Sequence, residues 1–388
     1  MDRAVGRRAV IAGAGVALAG CAGDDGAPSR TPTPDDEREP FDTDWPTFAR
    51  DAGNTGYEPD ISGPFTEIGE RWRFGVEGSV VASPAVAGNT LYVGSTGGSV
   101  YALDPYVGAE IWSFETGGPV TATPAIDEGV VYVGSGDDAV YAIDARDGTE
   151  RWRFDAGGRI GTSPTVVDGT VYVGTVHRIV FALDAETGAE RWRFPTGAAV
   201  LSAPAVVDGT VYVGSGDQNL YALAAADGEE RWRFPTRGVV GGGPAIDDGT
   251  VYVGSRDNNL YALDAEDGAE RWRFGANGQI QGSPTVTDDS VYVGSNDGNV
   301  YAVGRDDEDP DGRWGFRTGG SVIATPAATG AHVFAASTSG NVFCILPEAG
   351  ETVWRFETET DVQEGPAVTE EWLYVGDIGG TVYALGST

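Results

Sequence analysis

The sequence predicts an all-β fold, an eight-bladed β-propeller of four-stranded antiparallel blades, and three observations predict it. A Trp-x-Phe motif recurs eight times, at Trp72, Trp112, Trp152, Trp192, Trp232, Trp272, Trp314 and Trp354, with a spacing of 40 residues except for one step of 42. Three more motifs recur eight times in register with it: a VYVGS-like run, a YALD-like run and a proline in xPxV, as at Tyr132, Tyr141 and Pro124. Composition agrees, because 59 glycines and a single methionine suit short strands between tight turns and not long helices.

The elements follow in chain order. Arg7 and Arg8 precede an apolar run of 12 residues, Ala9 to Gly20. A spanning helix needs roughly 20 such residues, so residues 1–21 read as an export signal. The paired arginines resemble the twin-arginine type. Leu18-Ala19-Gly20-Cys21 resembles a lipobox, which would place lipid on Cys21; the competing reading is an uncleaved anchor. Residues 22–40 are acidic, Pro- and Thr-rich with almost nothing to bury, and are expected to form a flexible tether. Residues 41–69 form a lead-in expected to pack on the propeller, which occupies residues 70–388.

Within each copy the motifs alternate apolar and polar residues between Gly/Asp turns, the pattern of strands joined by hairpins. In DARDGTERW the turn places Gly148 where a positive φ is needed. The copies do not divide evenly at the ends. Seven run complete from about Val80 to Phe356, whereas the eighth, Val362 to Leu385, lacks its outer Trp-x-Phe strand. A spare one stands at Trp72-Arg73-Phe74, so this early strand is expected to pair with Val382–Leu385 and shut the ring without an open edge.

Charge excludes whole classes of partner. With 25 basic and 59 acidic residues the net charge is −34, and all the basic residues are arginine. Such a field repels phosphate, so neither nucleic acid nor an anionic membrane surface is expected as a partner, and the membrane is reached only through the lipid. Molar salt shortens the Debye length to about 3 Å and relieves this self-repulsion, which points to a salt-loving, haloarchaeal host. The expected form is a monomer anchored to the outer face of the cytoplasmic membrane.

Ala142-Ile-Asp144-Ala-Arg-Asp-Gly148-Thr-Glu-Arg-Trp152 resembles the tryptophan-docking motif of the pyrroloquinoline-quinone (PQQ) repeat family, as do Ala182–Trp192 and Ala262–Trp272. That resemblance implies either a quinoprotein dehydrogenase, with PQQ and calcium, or a non-enzymatic scaffold lipoprotein like those of outer-membrane barrel assembly. The dehydrogenase branch carries adjacent cysteines and a lysine near the quinone. Here Cys21 and Cys344 are far apart and there is no lysine, so no catalytic residue and no cofactor are expected. Cys344 replaces the Ala of YALD and reads as core. The repeat tryptophans likewise read as core.

Asp307, Asp309 and Asp311 before Gly312 have the alternation of a calcium loop, yet Gly315 and Thr318 fall where later ligands belong, so a merely solvated loop competes with a metal site. Where copies depart from the repeat, a partner face is suggested: Arg159, Gln279, Gln281, Asp361, Gln363 and Glu364 along the inner strands, His177, Arg178 and Arg256 in turns, and Arg237 in an inter-blade connection. Grouped arginines suit a carboxylate or an acidic segment; ordinary loop drift competes. The expected function is a non-catalytic protein-interaction scaffold at the cell surface. A PQQ- and calcium-dependent oxidoreductase is the alternative, and a glycan- or small-ligand-binding protein a second.

Overall fold

The computed structural model describes residues 44–63, 68–305 and 312–387. The described chain is all β, in eight sheets. After two early strands, β1 (Tyr57–Glu58) and β2 (Ile68–Gly75), the first blade is β3 (Ala85–Ala87), β4 (Thr90–Gly94), β5 (Ser99–Leu103) and β6 (Glu110–Glu115), hydrogen-bonded in that order. Six more blades repeat this meander.

The ring closes as the repeat count requires. The last strand, Thr381–Ser387, takes β2 as its outer neighbour, with Trp72 opposite Ala384 and Phe74 opposite Val382. This is the register of every complete blade; in the second, Trp152 faces Ala142 and Phe154 faces Val140. The eighth outer strand is therefore supplied by chain preceding the first blade, which joins the two ends of the ring through a hydrogen-bonded ladder.

Blades are riveted by the docked tryptophans. Seven of the eight indole N–H groups donate to a carbonyl of the next blade, among them Trp72 to Pro105, Trp152 to Ala185, Trp192 to Ala225 and Trp314 to Pro347, at 2.7–2.9 Å. The ring lies beneath the glycine of the neighbouring turn. Gly228 has φ 76°, and a Cβ there would stand 2.7 Å from the Trp192 ring, so the turn needs glycine for both conformation and space. Inner faces carry buried Val, Leu, Ile and Tyr, and Cys344 is fully buried among them.

The lead-in crosses the inner ends of the blades on the face that carries the acidic hairpins. The carbonyls of Pro46, Ala52, Gly53, Thr55 and Gly56 accept N–H bonds from Ile126, Val206, Ile246, Val286 and Ala328 in turn. Trp45 exchanges both backbone bonds with Val86 and is 2% exposed. β1 then runs parallel to the inner strand of blade seven, Ala327–Thr329, making that sheet five-stranded. The parallel addition satisfies an inner edge that a four-strand blade leaves unpaired.

Candidate functional site at the mouth of the central channel

The inner strands converge on an axis, and the residues before each inner proline line it. They enclose a cavity of ≈ 90 Å³ whose wall includes Thr121, Thr123, Ser163, Gln281, Thr325 and Glu364. Phe48 of the lead-in stands in the same wall and packs with Ala203, so the lead-in closes the acidic-face end of the channel. Asn54 holds that plug by donating to the carbonyls of Pro204 and Pro244, each at 3.2 Å.

The opposite end carries the repeat-breaking residues, and the structure gathers them into separate groups. In blade three, the Val176 N–H donates to the Arg159 carbonyl, and His177 Nδ1 lies 2.6 Å from the Gly157 carbonyl, which brings Arg159, His177 and Arg178 together. Arg159 reaches the channel rim, with Nη2 3.5 Å from Thr121 Oγ1. In blade five, Arg256 N–H donates to the Val239 carbonyl and Arg237 N–H to Asp257, placing Arg237 beside Arg256. Gln279 sits alone at blade six, and Asp361 and Gln363 at blade eight. Blade four separates the two arginine groups. Gln281 and Glu364 are deeper, in the cavity wall itself.

Arginines without an ion pair to a described residue are not confined to this end, since Arg71, Arg153, Arg231, Arg313 and Arg317 on or beside the outer strands also lack one. Arg151, Arg191, Arg193, Arg233, Arg271 and Arg273 on the outer strands all pair with carboxylates. Arg159, Arg178, Arg237 and Arg256 are exposed and make no ion pair with a described residue. Arg178 is also held at φ 69°, a conformation unfavourable to a long side chain. Below them, burial pushes the Glu364 carboxyl up to about 8, and no hydrogen bond or charged neighbour offsets it. Its accessible surface is intermediate, because the channel still admits solvent to a group surrounded by protein on all sides.

Asp217, Asp257 and Asp297 behave oppositely. Burial would raise them, but hydrogen bonds from Tyr221, Tyr261 and Tyr301 and from neighbouring amides hold each below the ordinary carboxylate range. These are linkers between blades. Blade three replaces this Asp by His177, and the partner tyrosine by Phe181, which has no hydroxyl to satisfy.

The fit of a quinone and its metal follows from the wall itself. No group of three or more His, Cys, Asp or Glu able to hold a metal occurs among the described residues. The axial cavity is well below the roughly 300–1,000 Å³ of ordinary small-molecule pockets. The sequence has no lysine, and Cys344 is sealed in the core. The channel residues therefore do not fit a tricyclic quinone. Cys21 and the candidate loop Asp307, Asp309 and Asp311 lie outside the described residues.

Sequence reading flagged Glu364 and the arginines as breaks in the repeat but missed Ser283 and Asn54. Ser283 looks like any small residue near the axis, and only geometry shows its hydroxyl unpartnered.

The family described as outer membrane protein assembly factor BamB matches residues 69–162, 137–239, 222–355 and 338–388. No curated protein sequence matches the chain. Among solved structures, BamB from Moraxella catarrhalis superposes with a TM-score of 0.72 at 21% identity, covering 82% of this chain and 99% of its own. The quinohemoprotein alcohol dehydrogenase from Comamonas testosteroni gives 0.73 at 17%, covering 89% and 80%. A europium-containing methanol dehydrogenase gives 0.75 at 15%, covering 89% and 98%. At these identities the likeness is one of fold.

Proposed function

The chain belongs to the family described as outer membrane protein assembly factor BamB, and from that premise we propose that it is an exported, lipid-anchored, non-catalytic protein-interaction scaffold. The observation that carries this reading is the set of four exposed arginines, Arg159, Arg178, Arg237 and Arg256, without ion pairs at one end of a body of net charge −34. Elsewhere Arg153 lies over the Tyr141 ring and Arg231 and Arg313 bond the Thr210 and Ser290 hydroxyls, while Arg71 and Arg317 also lack an ion pair with a described residue. What sets the four apart is their grouping in two pairs at one end, which makes them available to an acidic segment of a partner protein. A reading without quinone is supported by the small axial cavity, the missing lysine and the lack of a metal-binding cluster among the described residues.

Lipid on Cys21 and the Arg7-Arg8 signal would place the scaffold outside the cytoplasmic membrane, with the acidic composition suiting a salt-rich milieu. A partner assembled with a bacterial relative need not exist there, so the proposal is a binding mode and not a named complex.

Crosslinking the membrane-anchored protein with its Arg159, Arg237 and Arg256 replaced by Glu tests the site. Loss of the crosslinked partner by tenfold or more, with unchanged thermal stability, is expected. Undiminished capture moves the interface elsewhere. Quinone-dependent dye reduction by the purified protein would overturn the non-catalytic reading.

A further inference from the structure

Two residues before each inner proline the copies carry Ala82, Ala122, Thr162, Ser202, Gly242, Gly282 and Ala324, and then Glu364. Seven small residues and one long acid occupy equivalent places at the crowded axis. Where the position is polar in another blade, it is used within that blade. Thr162 Oγ1 donates to the Gly174 carbonyl at 3.2 Å and accepts its N–H at 2.8 Å, and Ser202 does the same with Gly214 at 3.2 and 2.6 Å. Glu364 makes no hydrogen bond or ion pair with a described residue. Instead it lines the ≈ 90 Å³ axial cavity.

The same cavity holds a second unmet group. Ser283 is 1% exposed, and its Oγ has no hydrogen-bond partner. Asn54 Oδ1 is buried and equally unpartnered. Both residues border Gly243, whose missing Cβ would lie 3.1 Å from Asn54 Nδ2 and 3.2 Å from Ser283 Oγ. Buried polar groups almost always have partners, so the unmet Ser283 Oγ in the same wall as the unpaired Glu364 carboxyl points to a ligand that supplies positive charge.

We propose that the closed end of the channel is a binding site for one small cation, a monovalent metal ion or a primary ammonium group, with the Glu364 carboxylate as its counter-charge and Ser283 Oγ among its neutral ligands. A single carboxylate and neutral oxygens suit a monovalent charge better than a divalent one, which would need more anionic ligands. The pocket volume admits an ion with little hydration and shuts out bulky quaternary ammonium.

Glu364 is the sole titratable residue in the wall. Arg159 stands at the rim on Thr121, and Asp361 lies on Glu364's own segment; neither is ion-paired to it. Below pH 8 the carboxyl is mostly protonated. Binding then exchanges charge for charge: the O–H bond of Glu364 breaks, its proton goes to bulk water, and the cation takes its place beside the carboxylate. This inference does not depend on the scaffold reading, and its test touches none of the four arginines.

The full-length protein is melted at constant ionic strength while tetrapropylammonium chloride, too large to enter, is replaced by sodium, potassium or methylammonium chloride. The wild-type Tm is expected to rise as the small cation replaces the large one, and calorimetry at pH 7 in buffers of different ionisation enthalpy should show about one proton released per cation bound. Glu364→Gln should lose both responses, and Ser283→Ala should weaken binding roughly three- to tenfold while retaining proton release. The inorganic and methylammonium arms identify the natural type of ligand. Identical responses in wild type and Glu364→Gln, or an equal effect of the bulky cation, overturn the proposal; should Glu364→Gln fail to fold, an unchanged affinity in Ser283→Ala does so.

Discussion

At the residue scale, carboxylates in one ring are driven in opposite directions by their neighbours. Asp217 and Asp257 sit in donor-rich links, so their ionised forms stabilise the fold above the ordinary carboxylate range and lose that contribution as the pH falls through the lowered value. Glu364 has the reverse sign. Its ordinary value is 4.5 and its folded value about 8, so the unfolded chain loses the proton first and stability falls as the pH rises from about 4.5 to 8. Glu364→Gln, melted in tetrapropylammonium buffer, is therefore expected to match the wild type near pH 4.5 and to exceed it increasingly towards pH 8. A parallel pair of stability curves across that range would show that the carboxyl is not desolvated in the folded protein.

At the element scale, the strand that closes the ring is the one whose removal is felt farthest along the chain. Trp72 donates to Pro105 of the first blade while its strand pairs with the last strand, so a single indole ties three stretches together. Trp72→Ala is expected to cost about 3 kcal/mol, the ordinary price of a truncated core aromatic, and to speed amide exchange across Thr381–Ser387 more than in any central blade. Equal exchange in all eight blades would mean that closure does not depend on this strand.

Strand order and closure were legible because a period of 40 with four aligned motifs leaves little freedom, and because an unpaired Trp-x-Phe at one end matched a missing strand at the other. The path of the lead-in was not legible. Its carbonyls bind amides in six blades, but backbone bonds of this kind carry no side-chain signature. The site was half legible: Glu364 stood out by breaking a repeat, whereas the emptiness around it depends on Phe48 and Asn54 closing one end, a contact made across well over a hundred residues.

At the scale of the whole molecule, two electrostatic effects compete. Exposed pairs such as Arg193–Glu190 and Arg273–Glu270 weaken as salt is added, but solvent-exposed ion pairs contribute little to stability. Against them stands the mutual repulsion of the acidic excess, a net charge of −34 over the whole chain, with Asp and Glu repeated in the hairpins of one face of the ring. Between 0.1 and 1 M salt the Debye length shrinks from about 10 to 3 Å, so repulsion between neighbouring hairpins is removed while contacts at ion-pair distance are only partly screened. Repulsion relief should win. The urea midpoint is expected to rise steadily over that salt range and then level off. It should do so even in tetrapropylammonium chloride, because screening needs no entry into the channel; the extra stabilisation by sodium or potassium over that salt isolates the axial site from the general field. A midpoint that falls with salt would mean that the arginine–carboxylate pairs, and not the excess charge, dominate the electrostatics of the ring.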